Sequence, residues 1–256
     1  MQIKQLFLPA TLILGLAVPA SAEHHGNKHI KMAVGSPERL ESDTTRDERR
    51  KPAEILKFAG IKPGMHVADV LGGTGYYTDI MSRIVGDEGS VTNFVNLFVQ
   101  NRFPKAFGPG GVIEKRQATA QWTKNVSMVF DKMENFKTAE PLDAAIMVLF
   151  YHDTLWQEVD RPAMTKAFID ALKPGGTFTI VDHAAEVGSG GRDVSTLHRV
   201  DSQLVIDEMT AAGFELIDES DLLRNPEDTR DFNVFRDVAT KRDNTDRFVL
   251  KFQKPA

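Results

Sequence analysis

The sequence predicts a doubly wound α/β sheet, and three observations carry that prediction. Short apolar runs alternate with helical stretches from His66 onward, the pattern of strand–helix–strand crossovers. The run Asp143–Phe150 is apolar almost without interruption, as a central parallel strand covered on both faces must be. The turn Gly72-Gly73-Thr74-Gly75 stands between the first strand and a helix, where backbone without side chains lets a ligand approach closely.

The segments follow in order. Residues 1–22 read as a secretory signal peptide. Lys4 is the positive leader, Leu6–Val18 the apolar run, and Ala20-Ser21-Ala22 a small-residue cleavage signal that sets the mature start near Glu23. The expected location is therefore periplasmic or secreted. The apolar run is too short for a membrane span, so no stable membrane anchor is expected after cleavage. Residues 23–45 are polar and read as a flexible segment, in which His24, His25 and His29 form a loose metal-binding candidate. Residues 46–256 form the folded domain.

Within it, Thr45–Ala59 has an apolar side and helical character, with Pro52 at a helix start. Ile61–Gly64 is a turn, His66–Leu71 a short buried strand, Tyr76–Val85 a helix, and Ser90–Val95 the second strand. Leu97–Lys124 is mixed and broken at Gly108-Pro109-Gly110-Gly111. Val126–Phe130 and Asp143–Phe150 are the next strands. Pro162–Leu172 is an amphipathic helix ended by Lys173-Pro174-Gly175-Gly176, ahead of a strand over Thr177–Val181. A helix over Asp201–Ala212 closes at Gly213, and Phe214–Asp218 and Phe248–Phe252 are the last two strands.

Composition removes several function classes. Of 256 residues, 26% are charged and 41% hydrophobic, which excludes a disordered or collagen-like chain. Without cysteine there is no disulfide, no thiolate nucleophile and no zinc–thiolate or iron–sulfur site. A net charge of -5 supplies no field to attract nucleic acid.

In an open α/β sheet, ligands bind beyond the carboxyl ends of the strands, near the switch in strand order. Tyr151-His152-Asp153 follows one predicted strand and Asp182-His183 another. Leu197-His198-Arg199 follows the loop Gly188-Ser189-Gly190-Gly191, read as flexible. Three of the seven histidines thus fall where they can converge. Histidine exchanges protons near neutral pH, and a neighbouring carboxylate (Asp153, Asp182 or Asp201) fixes its tautomer. Histidine and aspartate also ligate zinc or iron, but these separations follow no tight ligand motif and no metal is assigned. A hydrogen-bonded network that only pins the loops is the plain alternative.

The turn Asp69–Gly75, the turn Leu172–Gly176 ahead of a strand, and the final strand pair resemble class I S-adenosylmethionine-dependent methyltransferases over about Arg49–Lys254. Tyr76-Tyr77-Thr78, Phe150–Asp153, Asp182-His183, Leu197–Asp201, and Glu219-Ser220-Asp221 with Arg224-Asn225-Pro226 are similar to a group of exported bacterial predicted methyltransferases. The resemblance implies a Rossmann-like methyltransferase sheet, mostly parallel with an antiparallel C-terminal strand. It implies S-adenosylmethionine held by Asp69, Gly72, Gly73, Gly75, Thr78 and Asn96. It places Asp182 and His183 as a catalytic pair, with His152 and His198 binding or polarising a small-molecule acceptor in the cell envelope. Two departures stand out. Leu71 occupies the place of the first glycine of the usual turn, where its side chain would crowd the methionine half of the cofactor. The second strand ends in Asn96, not in the acid that usually holds the ribose. The alternative is an altered methyltransferase-like fold that binds another ligand or a metal in the periplasm.

Overall fold

The computed structural model describes residues 28–157, 159–235 and 242–256. The expected signal peptide, His24 and His25 lie outside the described residues. Among the described residues no helix is long and apolar enough to cross a membrane.

Among the described residues there are seven strands: β1 (His66–Val70), β2 (Ser90–Asn96), β3 (Val126–Asp131), β4 (Leu142–Val148), β5 (Leu172–His183), β6 (Glu215–Ser220) and β7 (Arg247–Gln253). They form one sheet in the order β3-β2-β1-β4-β5-β7-β6. β1 to β5 pair in parallel, and β7 runs antiparallel to both of its neighbours. The sheet is therefore mostly parallel, with an antiparallel C-terminal strand.

The period of two along each strand builds two cores. In β4, Ala144 and Ile146 join Ile55, Leu56, Ile80 and Ile84 from the helices Pro52–Ala59 and Tyr76–Val85 on one face. Ala145 and Met147 join Met164, Phe168, Val205 and Met209 from the helices Arg161–Ala171 and Ser202–Ala211 on the other. Each large side chain removed from water contributes about 1.5–3 kcal/mol, so both faces must be covered before the sheet is stable.

Several elements differ from expectation for identifiable reasons. The predicted Thr45–Ala59 helix is two pieces, Asp47–Arg50 and Pro52–Ala59. Lys51 sits between them with φ 46°, because a residue before proline is driven out of the helical region. Lys173–Gly176 belongs to β5 as an irregularity: the pairing with β4 slips between Leu142 and Ala144. The mixed region resolves into four short helices, Leu97–Arg102, Pro104–Phe107, Val112–Gln117 and Ala120–Asn125. The segment expected to be flexible is packed from residue 28 onward. Residues 28–34 are helical with Ile30 and Ala33 buried in the core. Arg39 pairs with Asp47, and Arg116 pairs with Asp43. Two apolar residues three apart, Ile30 and Ala33, together with these ion pairs dock it.

Candidate active site

β1 and β4 are neighbours, yet the chain leaves β1 toward β2 and leaves β4 toward β5. The crevice between their carboxyl ends is the switch point of the sheet. The first residue beyond each strand is a leucine in the left-handed region: Leu71 at φ 58° and Leu149 at φ 61°. That conformation costs a branched residue about 1–2 kcal/mol, and such strain concentrates at functional sites. Each leucine keeps its strand hydrogen bond while the chain turns: Leu71 N–H donates to Phe94 O and Leu149 N–H to Val181 O, both at 2.7 Å. The Leu71 side chain is buried in the core beside Phe94, Met147 and Tyr151. The expected crowding of the turn is therefore replaced by a side chain that points down into the core.

The glycines of the turn have different jobs. A Cβ on Gly72 would overlap the Asp69 carboxyl and crowd Asn93, and a Cβ on Gly75 would overlap the Trp122 ring. Both positions are closed by packing inside the protein. Gly73, at φ 54°, is open: a Cβ there meets only the Leu71 carbonyl oxygen, 3.9 Å away. Beneath the turn, the Thr78 hydroxyl donates to Asp69 Oδ2 at 2.6 Å. Burial drives the Asp69 pKa up to about 6, against the pull of Thr78 and of Arg50. Asn93, buried in β2, keeps its Oδ1 without a hydrogen-bond partner at this turn. The sequence reading does not single it out, although a polar amide between the apolar residues Val91 and Phe94 of a covered strand is a signal. Asn96 is committed at both ends. Its Oδ1 accepts from Val99 N–H at 2.9 Å and caps the Leu97–Arg102 helix, and its Nδ2 donates to Gln157 Oε1 at 3.0 Å.

The histidines converge, in a pairing that corrects the expected one. Asp182 orients His152, not His183. His152 Nδ1 lies 2.8 Å from Asp182 Oδ1, and its backbone N–H donates to Asp182 Oδ2 at 2.8 Å. His183 offers Asp182 only its backbone N–H, while its ring Nδ1 lies 2.6 Å from Thr245 Oγ1. The reason is the strand itself: successive side chains of β5 face opposite sides, so neighbours cannot hold one another. Asp201 stands apart from the cluster. It caps the Ser202–Ala211 helix and accepts from Gly188 N–H and Gly190 N–H, which ties down the loop expected to be flexible.

A short helix unforeseen in the sequence, Tyr151–Trp156, brings Asp153 to the centre. Asp153 Oδ1 accepts from Trp156 Nε1–H at 2.6 Å and lies 3.1 Å from His198 Nδ1. His152 Nε2 also lies 3.1 Å from the same oxygen, but off any hydrogen-bonding direction, so this buried nitrogen has no hydrogen-bond partner. Burial depresses the His152 pKa, yet Asp182 and Asp153 outweigh it and push the value up to about 10. Burial raises Asp153, and the neighbouring His152 ring, with the hydrogen bonds from His198 and Trp156, reverses that, holding the carboxyl well below its usual range. His198 adopts φ 55° and is the partly exposed member, beside Trp156 and Phe235 at ring separations of 6.0 and 4.5 Å. Phe98, itself exposed, packs on Trp156 at 5.4 Å and continues this aromatic rim. The Asn96–Gln157 hydrogen bond joins the end of β2 to the cap of the Tyr151–Trp156 helix, so rim and β2 end share one edge of the sheet.

Comparison with known proteins points to one fold. A family model described as protein-L-isoaspartate(D-aspartate) O-methyltransferase matches residues 23–103. The ubiquinone/menaquinone biosynthesis C-methyltransferase UbiE of Shewanella woodyi is 30% identical over 131 residues, 50% of this chain and 46% of that protein. The chain thus matches about half the length of that relative. A SAM dependent methyltransferase from Aquifex aeolicus superposes with a TM-score of 0.55 at 18% identity, over 89% of this chain and 97% of the other. The [4+2]-cyclase SpnF superposes with a TM-score of 0.58 at 14% identity, over 91% of this chain and 96% of its own.

Proposed function

We propose that this chain, which has the fold of class I S-adenosylmethionine-dependent methyltransferases, binds that cofactor and transfers its methyl group to a small-molecule acceptor in the cell envelope. The observation that carries the reading is the open backbone at Gly73, set at the switch point between two strained strand ends. The unpartnered Asn93 oxygen at the same turn favours a ligand that brings N–H donors.

The residues fit the cofactor at this turn. Backbone of Gly72–Gly75 would lie against it, with Asp69 and Thr78 forming the floor. Where a ribose acid is missing, Asn96 is engaged within the protein and the Gln157 amide beside it is the neutral group left to meet a ribose. When bound, the cofactor supplies a methyl group on a sulfonium that leaves readily. The protein's own work is then alignment, which brings a nucleophile to about 3 Å from the carbon. On the acceptor side, Phe98, Trp156 and Phe235 form an aromatic rim around His198, which suits a flat, largely apolar acceptor with a polar atom directed at the cluster. The Lys4, Leu6–Val18 and Ala20–Ala22 order supports placement in the envelope.

A second reading, a ligand other than S-adenosylmethionine, is favoured by the commitment of both ends of Asn96 within the protein. The same fold in a [4+2]-cyclase is compatible with it. One titration separates the two. Calorimetry of the purified protein with S-adenosylmethionine is expected to give one site per chain, lost in Gly73→Leu. Absence of binding to the wild-type protein would overturn the methyl-transfer reading.

A further inference from the structure

We propose that His152, Asp153 and His198 form a binding site for one divalent first-row transition-metal ion, zinc being the representative case. Among the described residues these are the one group of histidine and acidic side chains whose ligand atoms converge, all within 4.8 Å of one another. The spacing is finer than that. His152 Nε2 and His198 Nδ1 each lie 3.1 Å from Asp153 Oδ1. Ligands on ~2.0–2.1 Å bonds to a tetrahedral ion stand about 3.3 Å apart. Two of the three separations thus already match such an edge, and the third is at most 4.8 Å.

The second observation is independent of the spacing. His152 Nε2 is fully buried, is directed into the cluster and makes no hydrogen bond. A buried ring nitrogen left so is costly unless something else is to meet it. Its other nitrogen, Nδ1, is held by Asp182 at 2.8 Å. A carboxylate behind an imidazole is the arrangement that fixes the tautomer and ring orientation of a metal ligand. Trp156 plays the matching part for Asp153, since its indole N–H donates to the ligand oxygen at 2.6 Å. Two imidazoles and one carboxylate are borderline donors that suit zinc and its neighbours better than magnesium or calcium. Metal binding would displace the His152 ring proton, and with both imidazoles then neutral the two aspartates balance one divalent ion. His198 is the partly exposed ligand, beside Trp156 and Phe235, so a fourth position would open on that side. A water or an acceptor oxygen would fill it there. The site stands whether or not the cofactor reading above is correct.

The test strips the purified protein with chelator and titrates it with Zn²⁺ by calorimetry and with Co²⁺ by visible absorption. His24, His25 and His29 are a competing source of imidazole, so the variant with all three changed to alanine is titrated in parallel. The expected result is one ion per chain in both proteins. Asp182→Asn should weaken binding by ~10–100-fold, the range for a residue that orients a ligand, and His198→Ala should weaken it more. His198→Ala should also shift the Co²⁺ bands, a change that loss of packing alone would not produce. His198→Gln serves where the alanine variant does not fold. The proposal is overturned if no saturable site appears, if binding vanishes with the three N-terminal histidines, or if a folded His198 variant binds as tightly as the wild type.

Discussion

Leu71 is the residue where two costs meet. Its left-handed backbone costs about 1–2 kcal/mol, and its side chain fills the core beside Phe94 and Met147. Glycine would relieve the first and forfeit the second, and emptying a buried leucine site costs about 2–5 kcal/mol. Lost packing outweighs relieved strain, so Leu71→Gly should destabilise the protein by about 2–4 kcal/mol in urea denaturation while leaving S-adenosylmethionine affinity within a few-fold. Gly73 behaves in the opposite way. Gly73→Leu meets open space, so it should lower stability by only about 1–2 kcal/mol of backbone strain yet abolish binding, which paired melting and calorimetry would separate. Asp69 carries a pH signature. Its folded pKa of about 6 exceeds the ordinary value of 3.8 because burial disfavours the ionised form. Between those pH values the native state holds more protons than the unfolded chain, so stability falls as pH rises through about 4 to 6, by about 2–3 kcal/mol in all. In Asp69→Asn that slope should vanish from a plot of melting free energy against pH. At this scale the sequence was partly legible. The glycine turn announced itself, but which glycine is open depends on Trp122 and Asn93, residues far away in the chain.

Among elements, β5 and the segment 225–235 are joined by one buried arginine. Arg199 donates to both Asp228 oxygens at 2.9 and 3.1 Å and to the carbonyls of Ala184 and Phe232. Removing one partner of a buried pair strands the other charge, at about 3–5 kcal/mol. Arg199→Met should therefore cost about that much. Adding Asp228→Asn should recover part of the loss, a non-additivity that denaturant titration of the three variants reads directly. The fold was well marked at this level, because strand and helix periods differ and the glycine and proline stops are strong. The histidine cluster was only half marked. That loops at strand ends converge followed from topology. That Asp182 turns away from His183 was already implied by the alternation of a strand, whereas its partnership with His152 needed the unforeseen helix Tyr151–Trp156, which no periodic pattern signals in six residues.

For the whole molecule, residues 28–50 act as a strap across the Tyr76–Val85 helix. The Tyr76 hydroxyl donates to Asp47 at 2.6 Å, the guanidinium groups of Arg39, Arg46 and Arg50 lie 4.7–5.9 Å from its ring, and Arg46 and Arg50 both pair with Asp243 ahead of β7. A chain begun at residue 46 loses Ile30, Ala33 and the pairs of Arg39 and Asp43. A loss of roughly 3 kcal/mol at this size lowers the melting temperature by about 5–10 °C, which calorimetric scanning would register. None of this was visible in a polar stretch whose few apolar residues gave no amphipathic run. The position of β7 carries the remaining consequence. It comes last of the described strands in chain order and yet lies between β5 and β6. While the polypeptide is being synthesised, β6 has no strand to pair with, and β5 shows a bare rim of backbone N–H and C=O groups flanked by Phe178 and Ile180. That rim of β5 stays open until Arg247–Gln253 slides into the gap. A ribosome stalled before Arg247 therefore holds a sticky, unfinished sheet, and that interval is when a holding chaperone is most needed.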